Sequence, residues 1–330
     1  MQACEKQQPQ VSLLEVRSLK KYFPVGKPGL FSREKQEVKA VDDISFSVKK
    51  GETLGIVGES GCGKSTMGRA ILQLQAPTGG EVLFEGQDIS KLSKKEIRDL
   101  RKDIQIIFQD PFGSLNQRMT VGAMLSEIVH VHKIVPKEKE LNYVQKLLQD
   151  VGLRAEHYWR YPHEFSGGQR QRISIARALA VRPKLIICDE AVSALDVSVQ
   201  AQVLNLLQKL KQKYQLTYIF ISHDLSVVKH ISDRVGVMYL GKMVELADKH
   251  EMYSNPQHPY TKALFSAIPD VSSQAKKERV VLKGDVPSPL DIPSGCRFHS
   301  RCPLATDKCK AEAPEFRDLN RVHKAACHYV

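Results

Sequence analysis

The chain has 330 residues, 42% of them apolar, and a formal net charge of +12. That is enough for one large domain and a smaller one with an ordinary core. No apolar run nears the roughly 18 residues that span a bilayer, and the opening MQACEKQQPQ lacks the apolar stretch of a secretory signal. The chain is expected in the cytoplasm unless a partner holds it at a membrane.

In chain order, residues 11–17 and 38–48 read as strands around a polar loop, KPGLFSREKQE, with turns at Asp42-Asp43 and Gly51-Glu52. The apolar run Leu54–Val57 reads as a buried strand, and Met67–Leu74 as a helix. Between them lies Gly58-Glu59-Ser60-Gly61-Cys62-Gly63-Lys64-Ser65-Thr66. This fits GxxxxGK[ST] in the strand–loop–helix setting that gives the motif its meaning. The glycines let backbone N–H groups turn toward a polyanion, and the helix N-terminus adds its dipole. Lys64 would reach the β- and γ-phosphates, and the Ser65 hydroxyl would ligate Mg²⁺. A nucleoside triphosphate is implied.

Further on, Val82–Phe84 and Ile104–Phe108 are apolar runs. A helical pattern covers 121–151, broken at Pro136–Glu140, and another covers 168–180. Strand 185–187, helix 197–213, strand 218–221 and a short helix after Asp224 follow. This alternation reads as a parallel sheet covered by helices, an α/β fold. Residues 234–247 read as a hairpin turning at Gly241-Lys242. Beyond about Ala247 eight prolines mark a loop-rich tail. There is no internal repeat, so one nucleotide cassette is expected.

Leu185–Cys188 ends in Asp189-Glu190. A carboxylate at the end of a buried strand beside a phosphate loop suits Mg²⁺, the role expected of Asp189. Glu190 is placed to orient and deprotonate water. The Ser166-Gly167-Gly168-Gln169 turn opens a helix and offers a second anion-binding N-terminus. The basic clusters Lys20-Lys21, Lys49-Lys50, Lys94-Lys95 and Lys276-Lys277 read as solvated faces, and nothing resembles an aromatic-interleaved nucleic-acid module.

These motifs, in this order, resemble the ATP-binding cassette (ABC) family. The ordered set is the loop at 58–66, Gln109 after a strand, the signature at 165–169, Asp189-Glu190, Ser193–Asp196, and His223 in Ile221-Ser222-His223-Asp224. The resemblance implies a P-loop cassette over about residues 11–250: a parallel-sheet core, an antiparallel β subdomain and a helical subdomain near 110–165. It implies two cassettes closing head-to-tail on two ATP molecules. Ser166–Gln169 of one would face the phosphate loop of the other, and Asp196 would reach across the dimer. Gln109 would sense the γ-phosphate and join Ser65 and Asp189 near Mg²⁺. His223 would contact the γ-phosphate, and Tyr22, with Phe23 as rival, would stack on adenine. Ala191-Val192 stand where the family usually has Pro-Thr, which loosens the turn after Glu190. Phe165 replaces the common Leu and is expected to pack in the same way.

A narrower resemblance covers nearly the whole chain. His258-Pro259-Tyr260-Thr261, Pro287-Ser288-Pro289, Cys296-Arg297-Phe298-His299 and Arg301-Cys302-Pro303 are similar to the C-terminal extension, here 251–330, of ATPase subunits from oligopeptide, dipeptide and nickel importers. It implies ATP-driven import of di- or oligopeptides, nickel or another solute. The ATPase would sit on the cytoplasmic face of the membrane under two permeases, with a second ATPase subunit (a related chain or a copy) and an extracytoplasmic binding protein. A soluble cassette acting on ribosomes or DNA is the rival class. Cys296, Cys302, Cys309 and Cys327 are spaced C-x₅-C-x₆-C-x₁₇-C, which is not zinc-finger spacing. Four thiolates suit a [4Fe–4S] cluster or zinc, and free buried thiols are the third reading; His299, His323 or His328 could replace a cysteine. The resemblance favours the cluster.

Overall fold

The computed structural model describes residues 12–25, 36–267, 282 and 284–330. Cys4, most of the KPGLFSREKQE loop and Lys276-Lys277 lie outside them. The chain opens with β1 (Ser12–Val25), β2 (Gln36–Lys49), β3 (Thr53–Val57), α1 (Lys64–Ile71), β4 (Gly79–Phe84), β5 (Gln87–Asp88) and α2 (Lys94–Leu100). Next come β6 (Ile104–Ile107), α3 (Pro111–Ser114), α4 (Val121–Val131), α5 (Glu140–Asp150), α6 (Gly167–Leu179), β7 (Leu185–Asp189) and α7 (Val197–Tyr214). The chain continues through β8 (Thr217–Ile221), α8 (Leu225–Ile231), β9 (Arg234–Tyr239), β10 (Lys242–Asp248), α9 (Lys249–Ser254) and α10 (Pro259–Ser266). It closes with α11 (Asp307–Ala311), β11 (Arg317–Asn320) and β12 (His323–Ala325).

Two sheets result. The first, β2-β1-β4-β5, is antiparallel. The second runs β11-β12-β10-β9-β3-β8-β7-β6, and its stretch from β9 to β6 is parallel. Strands β3, β7 and β8 are buried along their whole length, so they carry continuous apolar runs instead of alternation. Their two faces feed different cores. Leu54, Ile56, Leu185, Ile187, Ile219 and Ile221 pack under the antiparallel sheet with Met67 and Ile71 of α1. Ile186, Cys188, Tyr218 and Phe220 face the other side, with α6, α7 and the helical segment.

The helical segment has the predicted helix–break–helix form, but α4 and α5 flank a break at 132–139, which opens four residues before the expected Pro136–Glu140. The predicted turn at Asp42-Asp43 is not a turn. Strand β2 runs through it, and Asp43 takes φ +59° at a register shift against β1. Asp residues tolerate this left-handed geometry, so a bulge and a turn share one composition.

The loop-rich tail is built into the cassette. β12 pairs with β10 and extends the second sheet, and Tyr260, Phe265 and Phe298 enter the larger core. Glu245 of β10, fully buried, binds the tail by three hydrogen bonds. Its carboxylate accepts from the Gln257 amide at 2.6 Å, the His258 amide at 2.9 Å and His323 Nε2 at 2.7 Å.

Candidate functional site: a phosphate loop and its carboxylates

Strand β3 ends at Val57 and the chain turns through Gly58 (φ +151°), Gly61 (φ +77°) and Gly63 (φ +103°) into α1. Gly63 is required twice. Its φ suits only glycine, and a Cβ there would lie 2.0 Å from the Ala40 carbonyl oxygen of β2. The Lys64 ammonium sits at the centre of this loop, donating to the carbonyls of Gly58 at 2.7 Å and Glu59 at 2.9 Å.

Next to it, the Ser65 hydroxyl donates to Asp189 Oδ1 at 2.6 Å, and Arg69 lies 3.7 Å from the other carboxylate oxygen. The Asp189 carboxyl is pushed above its usual range, chiefly by burial; the Ser65 hydrogen bond and Arg69 oppose this. Glu190 follows with φ +50°, a left-handed conformation unusual for a non-glycine residue and one that concentrates at functional sites. Its backbone is locked: its amide donates to Ile221 at 3.0 Å, and the Ser193 amide and hydroxyl donate to its carbonyl. Ala191 and Val192 are buried, so two hydrogen bonds and packing hold the turn that lacks proline. His223 Nδ1 lies 3.4 Å from the Glu190 carboxylate.

Of the residues singled out by sequence, Lys64, Ser65, Asp189, Glu190 and His223 thus form one chain of contacts. Gln109 is exposed two residues beyond β6, whose last residue Ile107 pairs with Cys188 just before Asp189. Ser166 and Gln169 form a second locus. They cap α6 reciprocally, the Gln169 amide donating to Ser166 Oγ and the Ser166 amide to Gln169 Oε1. Gly168 packs on Val199 of α7 so closely that a Cβ would lie 2.4 Å from Val199 Cγ1. Exposed Asp196 immediately precedes α7, so signature and Asp196 border one face. Phe165 is buried in the larger core, as a leucine would be.

Tyr22 stands opposite Lys39 on the antiparallel sheet, beside the Ala40 carbonyl that meets Gly63. Its ring is half-buried, and its hydroxyl donates to Asp42 Oδ1 at 2.5 Å. Phe23 is half-buried as well, with Lys21 Nζ 5.0 Å from its ring centroid.

The four late cysteines line a single small cavity with Phe298, His258, His299 and His328. The backbone amides of Phe298 and Leu304 bond to Cys296 and Cys302. Burial pushes the Cys296 thiol up to about 11 and raises Cys302. Among the described residues no three His, Cys, Asp or Glu side chains converge closely enough to hold a metal ion. His323 points elsewhere, to Glu245.

Sequence reasoning missed Arg69, Glu59, Asp42, Arg297 and Arg301. Glu59 lies inside the loop motif at a position the pattern leaves free, and the two arginines flank Cys296 and Cys302. The missing signal is the long-range pairing itself: Arg297 with Asp42, and Arg301 with Glu59.

Comparison with known proteins settles the family. The chain is 58% identical over 322 residues to the oligopeptide transport ATP-binding protein AppF of Bacillus subtilis, covering 97% of this chain and 98% of that one. The chain belongs to the ABC transporter family. The ABC transporter profile matches residues 41–193, and the profile for the oligopeptide/dipeptide transporter C-terminal region matches 244–309. The di/tripeptide transport ATP-binding protein DppF of Pseudomonas aeruginosa is 46% identical over 319 residues, 97% of this chain and 98% of that relative. Among solved structures, the ABC cassette MJ0796 in a dimeric post-hydrolysis state with ADP and Pi matches with TM-score 0.63 and 27% identity, covering 72% of this chain and 98% of that one. The protein cbiO1 from Clostridium perfringens, part of the ABC transporter complex cbiONQ, matches with TM-score 0.63 and 28% identity, covering 74% and 91%. The ABC cassette described above is therefore an ATPase, and ATP with Mg²⁺ is its reactant. Among the described residues no helix is long and apolar enough to cross a membrane.

Proposed function

We propose that this chain is the ATP-hydrolysing subunit of a membrane importer for di- or oligopeptides. The observation that carries this is the end-to-end similarity to named oligopeptide and di/tripeptide transport subunits, tail included. In this reading the chain lies at the cytoplasmic face under two permeases, beside a second ATPase subunit, with an extracytoplasmic binding protein delivering the solute.

The residues take the following roles. The Lys64 ammonium exchanges the Gly58 and Glu59 carbonyls for β- and γ-phosphate oxygens. Ser65, Asp189 and Gln109 would hold Mg²⁺, which offsets phosphate charge. Tyr22, its hydroxyl fixed by Asp42, offers a ring face to adenine. Glu190 takes the proton of the attacking water, and His223 orients that carboxylate and contacts the γ-phosphate. Ser166–Gln169 and Asp196 act on the nucleotide of the opposing cassette. Cassette closure on ATP and reopening after hydrolysis then drive the permeases.

For the tail, the reading is a [4Fe–4S] cluster on Cys296, Cys302, Cys309 and Cys327, with zinc as the alternative. Four cysteines lining one cavity and two amides bonded to sulfur support this reading, and loading would have to draw together side chains that stand too far apart to hold a metal ion. When bound it would supply a cross-link for a loop-rich segment. Iron and sulfide in stoichiometric amounts after anaerobic purification are expected; zinc alone would sink the cluster.

The test of the transport reading is co-isolation from gently solubilised native membranes through a C-terminal tag. Two permeases and a second ABC ATPase are the expected partners. Recovery only with ribosomes or DNA-bound proteins would overturn it.

A further inference from the structure

We infer that Arg301 and Tyr260 of the C-terminal extension are positioning residues for the phosphate-binding loop, acting on Lys64 through Glu59. The inference rests on the proposal that this loop takes the triphosphate of ATP.

Glu59 is the only acidic residue in the loop, and all of its polar groups are held. Its amide donates to the Tyr260 hydroxyl at 2.9 Å, across 201 residues of sequence. Its carboxylate takes both terminal nitrogens of Arg301, at 2.8 and 3.1 Å, across 242 residues. Its carbonyl accepts from Lys64 Nζ at 2.9 Å and from the Cys62 amide at 3.3 Å. Two of the three groups are thus fixed by the extension, and the third touches the phosphate-binding lysine itself.

The anchors are rigid. Tyr260 is fully buried, and its ring packs on Tyr239 and Phe298. The Arg301 side chain is only 8% exposed and also lies over Tyr239. A two-pronged arginine–carboxylate pair fixes direction as well as distance, and at this depth salt screens it little.

The charge logic points the same way. A free carboxylate beside a triphosphate repels it, and an unrestrained Glu59 could also take the Lys64 ammonium. Arg301 neutralises Glu59 and draws it off the phosphate side. Arg301 ends the short turn His299–Arg301, set between Cys296 and Cys302, so the cysteine cavity sets where the guanidinium stands.

The test is equilibrium titration of the full chain with the β,γ-imido analogue of ATP and Mg²⁺, with hydrogen exchange read on residues 57–66. Arg301→Met should weaken binding about tenfold, the loss of one charge-assisted contact, and speed exchange in the loop but not in α7. Arg301→Lys should recover part of the affinity, since a point charge replaces the fork. Tyr260→Phe should weaken binding about threefold, the scale of one neutral hydrogen bond. A folded Arg301→Met chain with wild-type affinity and loop exchange overturns the inference. If that variant does not fold, Tyr260→Phe decides, and unchanged affinity and exchange there overturn it as well. Failure of the underlying reading looks different: the wild-type chain does not bind the analogue, or Lys64→Ala binds it equally well.

Discussion

Replacing Glu245 with alanine removes the acceptor by which the cassette holds its own tail. The carboxylate is fully buried and receives the amides of Gln257 and His258 and the ring N–H of His323. Alanine leaves two buried donors, on His258 and His323, and the half-buried Gln257 amide without a partner. Each orphan costs about 1–3 kcal/mol when nothing relaxes. Water admitted to the gap recovers part of this, and breaking one side of a buried pair typically costs about 3–5 kcal/mol. We expect a loss of about 3–5 kcal/mol, and about 2 kcal/mol for Glu245→Gln, which keeps one acceptor oxygen. Urea unfolding followed by circular dichroism measures the total. The fluorescence of Trp159, the only tryptophan and one outside the tail, separates global unfolding from detachment. Tryptic cleavage beyond residue 250 should speed up before Trp159 responds. A Glu245→Ala chain whose stability lies within about 1 kcal/mol of wild type, with unchanged cleavage, would refute the reasoning.

Three further outcomes follow from the site. Glu190→Gln should lower ATP turnover by at least about a hundredfold, the scale of a lost general base, while ATP binding stays; steady-state hydrolysis at the wild-type rate removes Glu190 from that role. Asp189→Asn should abolish hydrolysis yet raise the melting temperature in the absence of Mg²⁺ by about 2 °C. Burial raises this carboxyl, so the folded state keeps its proton to higher pH than the unfolded chain; the stability this gives is present at low pH and lost as pH rises through the raised value. An amide escapes that loss, and a lower melting temperature would contradict it. His258 behaves in the opposite sense. Burial lowers it from 6.5 to about 4, and its Nδ1 accepts from the Tyr260 amide at 3.1 Å. The unfolded chain therefore binds the extra proton between pH 4 and 6.5, so up to about 3 kcal/mol of stability present above pH 6.5 is lost as pH falls toward 4. His258→Gln should flatten that slope in denaturation experiments, and an unchanged slope excludes His258 as its source.

The legible parts of the fold are those with a local cause. The run into Gly58, the helix after the phosphate loop (read as Met67–Leu74, found at Lys64–Ile71) and the strand ending in Asp189 each declare themselves within ten residues, because burial on both faces and phosphate-loop geometry leave few compositions. The alternation of strand and helix suffices for the parallel sheet. What stays hidden is set by partners far along the chain. Asp42-Asp43 carries turn residues but lies in a strand, since β1 pairs with Val41 and Ile44 on either side and the distant Gly241 carbonyl takes the Asp42 amide. Nothing near Glu59 foretells Arg301, and nothing near Glu245 foretells His323. The spacing of the four cysteines suggests that they gather, and they do share one cavity; spacing alone does not say whether their sulfurs converge.

The pairing of β12 with β10 also bears on how the protein is made. Residues 243–247 of β10 are buried on both faces, yet one flank of that strand is closed by residues 322–326. Chains emerge from the ribosome N-terminus first. Until residues 322–326 emerge, then, the cassette carries an apolar strand with a row of free N–H and C=O groups, a template for pairing with another nascent chain. Residues 322–326 remove that template, and they bring His323 to the buried Glu245 in the same step. A chain ending before residue 323 would accordingly keep its phosphate-loop sequence intact and still be prone to aggregate.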